Sequence, residues 1–360
     1  MNLLPNLTGL RFLLALLVVI FHIPQFCQNR GFPYFNNLSI FNKGEEAVYM
    51  FFSLSGFLII KQLYVEKSVS FSVNLKKFFL RRILRIFPLY YLVLTFGLIY
   101  YRLILPFFGF NYENNYDLVY GILLSYTFFP NIFASYAPGG IIEVLWSIGI
   151  EEQFYLLIAP LIFIIPFKKI KQFLLIFTIF FFLIYFSESI KFLKNYNMLY
   201  FYFSFSGLCS IMTLNKRINL KSLKYLIFSL IIIYFTTSIF RNNLTDFYYH
   251  LISMILFGLT LRNLSEEPIK LLENKCLIYL GKISFGVYMY HAIMMQFVGF
   301  IFLKSNLHLK VSNLYSIIIF NSLVLVSTII IAHLSFIYFE SYFLRLKEKF
   351  KLKRIQKNFL

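Results

Sequence analysis

Apolar runs long enough to cross a bilayer recur from one end of the sequence to the other. No other feature limits the fold as much. In hydrocarbon only helices and closed barrels satisfy their own backbone hydrogen bonds. The runs here are continuous rather than alternating, which selects helices. The expected fold class is therefore an all-α polytopic membrane protein. Composition agrees, because 59% hydrophobic and 14% charged residues over 360 positions exceed what a soluble domain covers. A net charge of +19 would suit a nucleic-acid partner. The Lys and Arg residues, however, sit in short loops between apolar runs, which is a topology signal, so membrane lipid and not nucleic acid is expected around this chain. Cys27, Cys209 and Cys276 show no pair spacing, so neither a disulfide framework nor a metal site is expected. The N-terminus lacks a basic stretch and a small-residue cleavage site, so the first run is expected to be retained.

About ten transmembrane helices are predicted, near residues 7–26, 46–64, 83–104, 144–165, 172–187, 198–214, 225–240, 247–261, 277–302 and 314–339. The segment 117–136 is apolar but short and is interrupted or followed by Pro130, Pro138, Gly139 and Gly140, so it is taken as re-entrant or interfacial. The most basic loop carries Lys61, Lys67, Lys76, Lys77, Arg81, Arg82 and Arg85. By the positive-inside rule it is cytoplasmic, and so are both termini. With 117–136 not spanning, Lys168, Lys169, Lys171, Lys216, Arg217, Lys221 and Lys224 also fall inside. Residues 1–345 then form one membrane domain and 346–360 a basic cytoplasmic tail, with no appended soluble domain.

Ionisable groups inside such helices mark candidate sites. Arg11 and His22 are eleven positions apart. On a helix this is close to three turns, so both share a face about 16 Å apart along the axis. Arg11 falls near the cytoplasmic surface and His22 in the outer half. A helix-end anchor with a neutral, hydrogen-bonded histidine is the plainer alternative. Glu151 and Glu152 fall near the middle of their helix and cannot face the same way. Structural hydrogen bonding between helices is the alternative for them. His291, alone on an apolar face, reads as a core histidine and as a second site candidate. Arg81 and Arg85 share a face, as do Arg82 and Arg85. Forked guanidinium groups suit phosphate oxygens, whereas stop-transfer charge and headgroup contact explain the neighbouring lysines. Together these residues suit a polyanionic donor at the cytoplasmic face whose reactive end reaches towards His22, with an acceptor arriving from the other side.

Five stretches resemble the acyltransferase-3 family of integral membrane O-acyltransferases. They are LTGLRFLLALLVVIFH (7–22), FFSLSGFLI (51–59), LRRILRIFPLYYL (80–92), LWSIGIEEQFYLL (145–157) and YLGKISFGVYMYHA (279–292). SFIYFESYFLRLK (335–347) is a weaker match. The resemblance implies transfer of an acyl group, usually acetyl, from cytoplasmic acyl-CoA to a hydroxyl of an extracytoplasmic surface glycan or lipid-linked sugar. It implies acetyl-CoA as co-substrate, no permanently bound cofactor, and a place in the bacterial inner membrane. Its Arg-x10-His signature maps onto Arg11 and His22, its Arg-Arg motif onto Arg81, Arg82 and Arg85, and its Glu-Glu motif onto Glu151 and Glu152. Thr8, Phe12, Tyr49, Ile293 and Tyr342 depart from the residues usual in the family. On this reading His22 is the general base and Glu151 or Glu152 orients it or stabilises its charge. Arg81, Arg82 and Arg85 hold the coenzyme A phosphates, and Arg11 guides the donor. His291, Trp146, Tyr155 and Ser55 are secondary candidates. An acyl-histidine intermediate is the competing mechanism. A transporter or flippase for a lipid-linked sugar is the competing function, and a structural scaffold is a third.

Overall fold

The computed structural model describes residues 4–110, 116–214, 223–267 and 269–350. Lys216, Arg217, Lys221, Lys351, Lys353, Arg354 and Lys357, assigned above to cytoplasmic segments, lie outside the described residues. Among the described residues every regular element is helical. In chain order the main helices are α1 (Pro5–Asn29), α2 (Gly44–Ser70), α3 (Leu75–Phe107), α4 (Leu118–Tyr126), α5 (Pro130–Ala134) and α6 (Gly140–Ile164). They continue as α7 (Ile170–Tyr185), α8 (Tyr200–Met212), α9 (Lys224–Thr236), α10 (Asp246–Glu266), α11 (Lys275–Ser305) and α12 (Asn313–Glu348).

Six of these, α1, α2, α3, α6, α11 and α12, are long and apolar enough to cross a membrane. The polarity of the helix surfaces is that of a membrane protein. Ser53, Ser204, Ser206, Ser210 and Ser253 are fully buried, while Ile318, Val326 and Ile330 of α12 face outward. Hydroxyls join neighbouring helices, as in the 2.7 Å bond between Thr178 of α7 and Ser204 of α8. The expected count of ten would need α7, α8, α9 and α10 as well. Those are shorter or more polar: α8 and α9 have 13 residues each, about 20 Å of helix against a hydrocarbon core of about 30 Å.

The basic stretch read as a loop is mostly helix. Lys61 and Lys67 lie in α2, and Lys76 through Arg85 in α3, with only 71–74 between them. Asn74 explains the early start of α3, since its side chain accepts from the Lys77 amide at 2.9 Å and caps the first turn. Pro88 consequently sits well inside the helix rather than in its first turns. The segment 117–136 forms two short helices. Asp117 caps α4 by accepting from the Tyr120 amide at 2.8 Å, and Pro130 opens α5. The chain then turns into α6 through Gly139, at φ +108°, where a Cβ would meet the Tyr101 ring at 2.3 Å.

Helix α1 packs between α2 and α11, and α2 packs along α8. Gly281 sets the closest approach of α11 to α1, since a Cβ there would lie 1.9 Å from the Thr8 carbonyl oxygen. Backbone cannot give way as a side-chain tip can. Gly281→Ala is therefore expected to cost about 1–3 kcal/mol, read as a lowered thermal unfolding midpoint of the protein in detergent. An unchanged midpoint would contradict this packing.

Candidate functional site

Two cavities open between these helices, and α1 borders both. The first has a volume of about 640 Å³ and is lined along the C-terminal half of α1 by His22, Gln25, Asn29 and Arg30. Opposite them stand Glu45 and Tyr49 of α2, Asn131 of α5, Glu143 and Trp146 of α6, and Gln296 of α11. The second, about 830 Å³, is lined by Thr8 and Arg11 of α1, Ser55 and Gln62 of α2, Arg81, Arg82 and Arg85 of α3, and Glu151 and Tyr155 of α6. Leu4 and Lys347 both border this second cavity, so the two ends of the described chain lie on one face. The helical period places Arg11 and His22 on one side of α1, but that side opens into two separate spaces.

In the histidine cavity, His22 Nδ1 lies 2.9 Å from the Val18 carbonyl oxygen. A carbonyl only accepts, so Nδ1 carries the proton and donates it. In the neutral ring this leaves the lone pair on Nε2. The ring of His291 lies 5.1 Å from that of His22, tilted by 43°. His291 is fully buried, and its Nδ1 donates to the Tyr288 carbonyl. Its Nε2 has no hydrogen-bond partner among the described residues. The two imidazoles thus form one unit, with His22 at the cavity wall and His291 behind it. Arg30 donates to Gln296 at 3.0 Å, and Gln296 also receives a 3.4 Å bond from the Tyr100 hydroxyl. Tyr49 donates to Glu45 at 3.1 Å, and Glu143 accepts from the Gly139 amide at 3.2 Å.

In the arginine cavity, Glu151 accepts from Ser55 at 2.6 Å and from the Tyr155 hydroxyl, and the two hydroxyl oxygens lie against each other. Arg82 lies over the Tyr155 ring, 5.9 Å from its centroid. Arg11 shares the electrostatic field of Arg85, Arg82 and Glu151. Arg81 differs from the other arginines. Its Nη2 lies 3.7 Å from the buried Glu66 carboxylate as an ion pair, and its Nη1 donates to the Phe350 carbonyl at 3.0 Å, so both ends of the fork face the fold.

The structure brings Arg11, Arg81, Arg82, Arg85, Glu151, Tyr155 and Ser55 to one cavity and His22 and Trp146 to the other. It does not bring the two glutamates to His22. Glu151 is held by Ser55 and Tyr155, and Glu152 is buried on another face of α6 with its Oε1 unpaired among the described residues. The Val18 carbonyl occupies the place expected for a carboxylate beside the His22 ring. The reason is the helix period: from 151 to 152 the side chain turns by about 100°, and only the first points into a cavity. Sequence reasoning passed over Glu45, Glu143, Arg30 and Gln296. Arg30, Glu45 and Glu143 fall just outside the predicted helices, and Gln296 is an uncharged amide within one. No group of three or more potential metal ligands occurs among the described residues.

The family model described as an acyltransferase domain, Acyl_transf_3, matches residues 4–335. Over 156 residues, 42% of this chain, the sequence is 30% identical to the peptidoglycan O-acetyltransferase OatA of Listeria monocytogenes, covering 23% of that protein. Over 125 residues, 35% of this chain, it is 35% identical to the "Putative acetyltransferase ORF330" of Acidianus two-tailed virus, covering 32% of it. Over 162 residues, 42% of this chain, it is 27% identical to the "Putative peptidoglycan O-acetyltransferase YrhL" of Bacillus subtilis, covering 23% of it. The chain thus spans no more than about a third of the length of these relatives. No solved structure matches it.

Proposed function

Because the chain belongs to the acyltransferase-3 family, we propose that it moves an acyl group, acetyl first among them, from cytoplasmic acyl-CoA to a hydroxyl of a surface glycan or lipid-linked sugar on the far side of a bacterial inner membrane. One observation carries this reading. A single helix delivers Arg11 to an arginine-lined cavity and His22 to a second cavity beyond it. Coenzyme A has that shape, with its phosphates at one end of a long thin arm and the thioester at the other. Arg11, Arg82 and Arg85 suit the phosphates, and the arginine cavity is of a size usual for a cofactor site. Lys61, Lys67, Lys76 and Lys77 favour the cytoplasm on that side, which puts the histidine cavity towards the acceptor.

In the reaction the acceptor oxygen attacks the thioester carbonyl while His22 Nε2 takes the hydroxyl proton. The tetrahedral intermediate collapses, the C–S bond breaks, and coenzyme A leaves as a thiolate that receives the proton from His22. The products are the O-acyl sugar and free coenzyme A. Glu151 serves the donor side on this reading, offsetting part of the arginine charge. Aromatic and amide side chains of the histidine cavity, among them Trp146, Tyr49 and Gln296, suit a sugar ring. Peptidoglycan is the first acceptor to test, since the Listeria relative is named for it.

The test measures free coenzyme A released from acetyl-CoA by the purified protein in lipid vesicles, with and without a cell-envelope glycan fraction. Glycan-stimulated release is expected. Folded protein that releases none with any of several fractions, yet moves a lipid-linked sugar between leaflets, would replace this reading with transport.

A further inference from the structure

Among the described residues the two cavities share two lining residues, Val48 of α2 and Tyr288 of α11. Both are buried, at 5% and 6% exposure, and both stand at the boundary between the two spaces. Tyr288 is fixed there. Its hydroxyl donates to the Val144 carbonyl at 2.8 Å, and the Ser147 hydroxyl, 2.7 Å away, is left to donate to the phenolic oxygen. The Val144 carbonyl lies at the break in α6 between the Gly140–Glu143 turn and the Trp146–Ile164 helix. Phe51 stands edge-on to the Tyr288 ring on the arginine side, with centroids 6.4 Å apart. Trp146 of the histidine side and Phe52 of the arginine side also meet, near-perpendicular, with centroids 5.9 Å apart. Tyr288 also touches the histidine pair, because its backbone carbonyl holds the His291 ring that lies against His22.

We propose that Val48 and Tyr288 form the constriction that the acyl end of the donor crosses, and that its width selects the acyl group. The inference rests on the acyl-CoA reading above and adds to it a size-selective element. A donor whose phosphates stay on the arginines presents its acyl group at this boundary before it meets His22. The ring of Tyr288 is pinned at its hydroxyl end, so Val48 is the adjustable wall. Hydrophobic walls discriminate a single methylene by about 10- to 200-fold. An acyl chain longer than acetyl must find that extra room between an immobile phenol ring and the two methyl groups of a valine.

Two variants test this in the full-length protein, with acetyl-, propionyl- and butyryl-CoA as probes. Val48→Ala removes atoms only, and is expected to raise propionyl or butyryl transfer relative to acetyl by about tenfold or more. Val48→Trp is expected to lower acetyl transfer by about a hundredfold while acetyl-CoA still binds, because Arg11, Arg82 and Arg85 are unchanged. Retained binding also shows that this variant folds. Should tryptophan not be accommodated, the alanine variant decides alone. A wild-type preference in Val48→Ala, or wild-type turnover in Val48→Trp, overturns the constriction. Wild-type protein that releases no coenzyme A under any acceptor overturns acyl transfer itself, which is a different result.

Discussion

His22→Ala is expected to lower glycan-stimulated release of coenzyme A by about 10²- to 10⁴-fold, the range removed with a positioned general base. Affinity for acetyl-CoA is expected to stay at the wild-type level, because His22 borders the histidine cavity and not the one lined by Arg11, Arg81, Arg82 and Arg85. The reasoning starts from one hydrogen bond. The Val18 carbonyl fixes the proton on Nδ1 and leaves Nε2 as the acceptor at a cavity wall. His291 sharpens the test. Its ring lies against His22 but borders neither cavity, so it acts on the reaction through His22 if at all. His291→Ala should therefore lower turnover without touching donor affinity, and by less than His22→Ala. If His22→Ala retains full turnover and His291→Ala does not, the base has been assigned to the wrong imidazole. A burst of coenzyme A release without acceptor, equal to the enzyme present, would instead favour an acyl-histidine intermediate.

The second large effect separates arginines that the sequence treats alike. Arg85→Ala is expected to raise KM for acetyl-CoA by about ten- to a hundredfold, as expected for one charged hydrogen-bonding group lost from a phosphate site. Turnover at saturating donor should change little, since Arg85 is remote from the histidine pair. Arg85→Lys should recover only part of this, because an ammonium cannot reproduce the fork. Arg81→Ala should behave differently. It leaves the buried Glu66 carboxylate without its cation and the Phe350 carbonyl without its donor. Breaking a buried pair from one side costs about 3–5 kcal/mol, so the loss should appear as low folded yield and a lowered unfolding midpoint. Equal KM effects from Arg81→Ala and Arg85→Ala, with unchanged stability in both, would contradict this division.

Much of the site was legible because its residues lie close together in sequence or carry a strong physical cost. Arg11 and His22 share a face by helical period alone, and charges in apolar runs announce themselves. The arginine stretch was read as loop but is mostly helix, since its capping residue, Asn74, lies outside the charged cluster. Glu151 and Glu152 were linked to His22 as the group that orients a general base, by motif and triad logic rather than by any measured proximity. Nothing in the spacing of α6 says which neighbour its inner face meets, and that face meets Ser55 of α2.

The sequence by itself determined that this chain is a bundle of membrane helices, that polar groups lie inside them, and that one helix presents an arginine and a histidine in line. These follow from chain-local physics: backbone hydrogen bonds must close within each apolar run, and the helix repeats every 3.6 residues. Only the tertiary structure decided that His22 pairs with His291, that the glutamates stand elsewhere, and that Val48 and Tyr288 border both cavities. Those contacts join segments far apart in the chain. They depend on which helices approach closely, as α11 approaches α1 where Gly281 meets the Thr8 carbonyl, and that choice belongs to side-chain volume across the whole bundle.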